Sequence, residues 1–378
     1  MPAIHHHAEH VGSLLRPPGL LDARQARERG DLGAEELTRL EDSAVLAAID
    51  LQRQAGIEVY TDGEMRRATW MAGLLESLGG VSPVAMPSTG PSTGWFRDDA
   101  APVPPEETAF QMVVATGKLT QKSDLSTVEA GFLARHAPGQ FKITMMSSSM
   151  GNLLWRPDLS RDVYPTPGEM MRDLVALRLK EIEGLLALGV TWIQLDSLGY
   201  NHLIDPEFRA RILGPQAPAP EDILDMTVSV DAELARAIKA MNPEVTVAMH
   251  ICRGNNRSAW MSKGGYEPVA ERLFGEVPVD RFLLEYDTER AGGFEPLRFV
   301  PAGTTVVLGL VSSKVARLES QDDLRRRIDE AAKYVPIEHL ALSPQCGFAS
   351  TARGNLLTVD DERRKLELVV DTAQRVWG

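Results

Sequence analysis

The chain has 378 residues, 43% hydrophobic and 25% charged, ordinary globular proportions with length enough for one large barrel or two ordinary domains. A formal net charge of -13 argues against nucleic acid or an anionic membrane surface as the main partner, and no apolar run approaches the roughly 20 residues of a membrane span. Two cysteines make no disulfide framework and no leader peptide is visible, so a reducing cytoplasm is the expected setting.

His5-His6-His7 reads as a tag remnant or a weak metal site. From there short apolar runs alternate with long amphipathic stretches. His10–Ser13 is the first strand candidate, followed by a helix over Ala34–Ala55 and a second run at Glu58–Thr61. Residues 81–119, rich in Pro, Ser, Thr and Gly, then break the rhythm as a long loop or hairpin with an extended piece at Gln111–Gly117. Lys142–Met146 resumes it, and helix Pro167–Leu188 leads to Trp192–Asp196. Helix Pro220–Met241 leads to Thr246–Cys252, with further runs at Phe282–Tyr286 and Thr305–Val311. Helix Gln321–Tyr334, the run His339–Leu342 and helix Asp360–Val376 close the chain; Asp360 and Asp361 suit the positive end of that helix. Eight such strand–helix units describe an α/β protein of the (β/α)8 TIM-barrel class, one domain over residues 1–378 with the 81–119 insertion after the second strand. A doubly wound sheet is the competing arrangement.

Active sites of such barrels lie at the C-terminal ends of the strands, where the chemically capable residues fall. Ser13, Glu64, Asp196, His250, Cys252, Glu285 and Cys346 all end or follow a run. An acidic residue there can simply cap the next helix, and a cysteine beside a histidine can be plain core. Residues 250 and 252 share one face of their strand, however, and Cys346 lies in a turn between Pro344 and Gly347. His250, Cys252 and Cys346 therefore form a candidate zinc set, with Glu285 the natural fourth ligand and Asp287 the alternative. Two thiolates and a carboxylate leave a dication with a net charge of about -1, a poor activator of water but a good holder of an incoming thiolate. The expected reaction is S-alkylation. A structural zinc usually draws on closer ligand spacings, whereas these span almost a hundred residues.

At these residues the chain resembles the cobalamin-independent methionine synthase family, specifically its catalytic C-terminal barrel. The resemblance runs from His10-Val11-Gly12-Ser13 to the last helix, and is most specific at His250-Ile251-Cys252, Glu285 and Ser343-Pro344-Gln345-Cys346-Gly347, which match the family's zinc ligands. It implies a (β/α)8 barrel and zinc-dependent methyl transfer from a folate or other small donor to homocysteine, giving methionine. It also implies Ser13 on the substrate carboxylate, and Glu64 and Asp196 on its amino group. The family's full-length plant and bacterial enzymes carry a second, N-terminal barrel without a counterpart in these residues. Their Asp-Val-His-Ser stretch, which holds the catalytic histidine, reads Gly309-Leu310-Val311-Ser312-Ser313-Lys314 and places Lys314 in that role. Their Asn-Pro-Asp-Cys-Gly reads Ser-Pro-Gln-Cys-Gly. These departures resemble the single-barrel branch, which includes epoxyalkane:coenzyme M transferase. For that alternative Arg16, Arg66, Arg67, Arg253, Arg257 and Lys314 are the candidate cations for a sulfonate thiol. The expected partners are thus a small thiol and a methyl or alkyl donor, with a homo-oligomer left open.

Overall fold

A computed structural model describes residues 6–71, 77–84, 94–97, 102–104, 107, 112–213 and 218–378. Two strands, β1 (Leu78–Val84) and β2 (Met112–Gln121), pair as an antiparallel hairpin. Six more form one parallel sheet in chain order: β3 (Ile143–Met146), β4 (Trp192–Ser197), β5 (Thr246–Ile251), β6 (Arg281–Glu285), β7 (Thr305–Val311) and β8 (Leu340–Pro344). Sequential order excludes the doubly wound sheet, whose strand order reverses midway.

The first two runs continue this order at its two edges. Ala8 makes a parallel bridge to Leu342 beside β8, and Tyr60 one to Phe141 just before β3. The second lies within the expected run Glu58–Thr61, whereas the first falls two residues ahead of His10–Ser13, and along that first run there is a physical reason for the missing ladder. Side chains take the carbonyls a ladder would use: Lys142 donates to the His10 oxygen, Gln194 to that of Val11 and Thr61 to that of Gly12. The interior closes across the gap. Val11, Val59, Trp192, Ala248, Leu283, Val307 and Ala341, one from each run but the third, form a single buried cluster. This is the side-chain layer that fills an eight-stranded barrel.

Helices cover the outside of this layer. Helix Ala34–Ala55 buries Val45, Ala48, Ile49, Gln52 and Ala55, an i, i+3, i+4 stripe, and stops at Gly56, whose φ of 83° provides the left-handed cap. The final helix, Val359–Trp377, opens with a reciprocal capping box between Thr358 and Asp361, so Asp361 serves the helix start directly. Thr166 and Ser320 likewise accept from the first-turn amides of helices Pro167–Ala187 and Gln321–Ala331.

The hairpin falls within the insertion foreseen after the second strand; 85–93, 98–101, 105–106 and 108–111 of that insertion lie outside the described residues. Leu78, Ala115 and Leu119 pack with Met146, Met150, Leu154, Tyr164, Met170 and Leu174, seating the hairpin over β3 and helix Pro167–Ala187. Phe96 exchanges two main-chain hydrogen bonds with Trp260, both 2.8 Å, which clasps the insertion to the loop after β5. Of the histidine triplet, His5 is outside the described residues. His6 bonds Glu58 and Gln140, and His7 bonds the Leu340 carbonyl and stacks on Trp377, so both serve structure. No helix among the described residues is long and apolar enough to cross a membrane.

Candidate metal centre and substrate pocket

Parallel strands in register put their C-terminal residues on one rim. Asp196 of β4 lies opposite His250 of β5, and Glu285 ends β6. Cys252 and Cys346 follow directly after β5 and β8. One donor atom from each of His250, Cys252, Glu285 and Cys346 falls within 4.8 Å of the other three, and all four residues are buried. The two sulfurs are 3.5 Å apart, close to the edge of about 3.8 Å that a tetrahedron with metal–sulfur bonds of 2.3 Å requires. Asp287, the alternative ligand, is outside this set and faces Arg290 at 3.5 Å.

The orientations also fit a cation. His250 Nδ1 lies 3.1 Å from the Leu283 carbonyl, which fixes Nε2 as the free nitrogen, and Nε2 has no protein partner. Glu285 Oε1 accepts from the Arg253 amide while the buried Oε2 has no hydrogen bond. Burial works against protonating His250, but the nearby Cys346 sulfur, with Asp196 and Glu285, carries its pKa up to about 9. The thiols titrate as a pair: the hydrogen bond between them holds Cys346 down as the thiolate and pushes Cys252 up. Burial raises Glu285, against the attraction of Lys314 and Arg290.

A pocket of about 700 Å³, open solvent included, stands over this cluster. Ser13, Glu64, Asp196, His250, Cys252 and Cys346 all line it. Glu64 has φ 57°, a left-handed conformation rarely adopted by a glutamate and characteristic of strained functional turns. Its Oε1 accepts from Thr144 Oγ1 at 2.9 Å, and its buried Oε2 has no hydrogen bond. Burial raises its pKa and Arg67 opposes this. Burial carries Asp196 up to about 7, against the pull of His250. Its Oδ1 accepts from Gln194 at 2.8 Å. Ser13 Oγ accepts the Ala349 amide at 3.4 Å and keeps its own proton to donate. Gly347 makes this close approach feasible, because a Cβ there would lie 2.0 Å from Ser13 Oγ.

Trp70, Met71, Trp95 and Met261 complete the wall, Trp95 arriving from the insertion. Sequence reasoning did not single out these four, nor Thr144 and Gln194; for Gln194 the signal was present, two residues before Asp196 on the same strand face. The cations considered for a sulfonate are elsewhere. Among the described residues lining the pocket there is no Lys or Arg. Arg16 donates to the carbonyls of Glu64, Arg67 and Ala349, Arg67 forks onto Glu129, and Arg66 pairs with Asp42. Arg253 stacks over Tyr266. Lys314 is buried, lies outside the pocket lining and makes no hydrogen bond through its ammonium; it acts electrostatically on Cys252, Glu285 and Cys346.

The profile of the cobalamin-independent synthase catalytic domain matches residues 161–375. The chain is 36% identical to the uncharacterized protein YxjH of Bacillus subtilis, covering 98% of this chain and 94% of that one. It is 23% identical to the methionine synthase of Pyrococcus abyssi over 89% of this chain and 85% of that one. A Listeria monocytogenes crystal structure, provisionally assigned as a vitamin-B12-independent methionine synthase, superposes with a TM-score of 0.72 at 29% identity over 98% of both chains. The B12-independent methionine synthase of Shewanella sp. W3-18-1, solved with selenomethionine, shares the fold at a TM-score of 0.71 and 19% identity, over 98% of this chain and 97% of that one. The chain belongs to the cobalamin-independent methionine synthase family, in the form of a single catalytic barrel.

Proposed function

We propose that this protein is a zinc-dependent methyltransferase that moves a methyl group from a folate or another small donor to the sulfur of homocysteine, giving methionine. The observation that carries this reading is a single pocket whose floor holds the thiolate–imidazole ligand set and whose wall holds two carboxylates, Glu64 and Asp196, the former with a buried oxygen left unbonded by the described residues. A thiol alone needs only the floor. A thiol carrying an ammonium needs the wall as well.

His250, Cys252, Glu285 and Cys346 would hold the zinc, which when bound supplies a site that keeps a thiol as nucleophilic thiolate near neutral pH. Glu64 and Asp196 bind the substrate ammonium between them, and the Ser13 hydroxyl donates to its carboxylate. Together they fix the amino acid so that its sulfur reaches the floor. Trp70, Met71, Trp95 and Met261 exclude water above the sulfur and present an apolar face to the donor. Lys314 offsets the surplus negative charge of two thiolates and a carboxylate, which supports its assignment as a catalytic contributor acting through the ligand set. A sulfonate-bearing thiol such as coenzyme M would meet two carboxylates and no described cation.

Calorimetric titration of the zinc-loaded protein with homocysteine, followed by mass spectrometry for methionine with methylfolate and other small methyl donors, tests the reading. Glu64→Gln and Asp196→Asn should each weaken homocysteine binding about tenfold or more, the cost of removing one charged hydrogen-bond partner. Absence of homocysteine binding at millimolar concentration would overturn the proposal.

A further inference from the structure

The barrel interior contains a polar column that the reaction as described leaves unused. Seven of the eight runs contribute an apolar residue to the central layer, whereas the third contributes Lys142, which is fully buried. Its ammonium donates to Glu9 Oε1 at 2.7 Å, to the His10 carbonyl at 2.5 Å and to Gln194 Oε1 at 2.7 Å. Glu9 is held in turn by Arg281 at 2.9 Å. Replacing a buried ion pair with apolar side chains is commonly neutral or stabilising, so stability alone does not account for a lysine where the other seven runs place Val, Trp, Ala and Leu.

The geometry shows what the column does. A glutamine amide can face either way unless its neighbours decide, and here both ends are decided. The Lys142 ammonium has only protons to give, so it takes the Gln194 oxygen. Gln194 Nε2 must then point upward, where it donates to the Val11 carbonyl at 2.6 Å and to Asp196 Oδ1 at 2.8 Å. Gln194 and Asp196 share the inner face of β4, one step apart, so the column ends at the pocket wall. The hydrogen bond restrains the carboxyl's rotation and engages Oδ1, while Asp196 itself lines the pocket.

We propose that Lys142 and Gln194 are positioning residues for the substrate's amino group: Lys142 fixes the amide orientation of Gln194, and Gln194 aims and polarises the Asp196 carboxylate toward the ammonium. The inference rests on the thiol-binding function proposed above and deepens it by naming what selects an α-amino thiol. Gln194→Met keeps the side-chain length and removes all three of its hydrogen bonds, to Lys142, the Val11 carbonyl and Asp196. Gln194→Glu keeps a partner for Lys142 but cannot donate to Asp196 and opposes it with like charge.

The test compares homocysteine with 4-mercaptobutanoate, the same thiol acid without the amino group, by calorimetry on zinc-loaded wild type and both variants, with zinc content measured on each. The inference predicts that either variant raises the Kd for homocysteine about tenfold, leaves 4-mercaptobutanoate within about twofold and retains zinc. In turnover the homocysteine KM should rise more than kcat falls. Gln194→Glu carries the test if Gln194→Met does not fold, because its Lys142 partner is preserved. Equal weakening of both thiols, or unchanged homocysteine binding, would overturn the positioning role while leaving the proposed function standing. Wild-type protein that binds neither thiol would overturn the function and this inference with it.

Discussion

The candidate ligands are held by groups from other strands and loops. His250 is oriented by the Leu283 carbonyl, Glu285 by the Arg253 amide, and the two cysteines follow the fifth and eighth strands with their sulfurs 3.5 Å apart. Removing one sulfur breaks the set without touching the core. Cys252→Ala and Cys346→Ala should therefore each lose zinc by at least tenfold in affinity while circular dichroism stays native. Full zinc occupancy in either variant, measured by elemental analysis, would contradict the ligand assignment. Lys314 has a different expected signature. It faces the ligands from outside the pocket, so Lys314→Met should keep zinc near stoichiometric and slow turnover about tenfold at saturating thiol. An unchanged rate would remove Lys314 from the reaction.

At the scale of elements, period and punctuation in the sequence were enough to place most strands and helices. Helices Ala34–Ala55 and Pro220–Met241 begin and end where apolar spacing and flanking residues indicate. The ligands were legible for the same reason, since strand alternation places 250 and 252 on one face. The first two strands were legible as runs but not as single bridges; along the first, side chains distant in sequence, Lys142, Gln194 and Thr61, take the carbonyls. The roles of Trp70, Trp95 and Gln194 depend on such long-range contacts and have no local signature. The last helix shows another. Glu362 accepts the Leu15 amide at 2.9 Å and ties this helix to the loop after the first run, and burial raises its pKa to about 8. A carboxyl raised in the folded state takes up a proton on folding, so stability is lost as pH rises from its unfolded value near 4.5 through 8. Glu362→Gln keeps an oxygen acceptor without the charge. Its stability advantage over wild type, from denaturant unfolding, should grow between pH 5 and 8 with a slope of at most about 1.4 kcal/mol per unit. A pH-independent difference would show that Glu362 is already ionised in the folded protein.

Across the whole molecule, the candidate ligands come from the ends of β5, β6 and β8, so a bound ion crosslinks half of the barrel rim. The buried cluster extending from Leu14 to Val370 is independent of that crosslink. Chelation should therefore lower Tm without unfolding the protein at room temperature; zinc at a thousandfold excess over its Kd contributes about 4 kcal/mol. Because thiol and imidazole ligands must be deprotonated to bind, zinc affinity should also fall with decreasing pH, about tenfold per unit for each proton released. A Tm indifferent to chelator would mean that the four residues hold no ion. The most direct test of the central claim is zinc-edge X-ray absorption on the loaded protein before and after homocysteine is added. The account predicts a shell containing two sulfurs that gains a third with homocysteine. A shell left unchanged by saturating homocysteine would contradict thiol activation and leave the zinc a structural role.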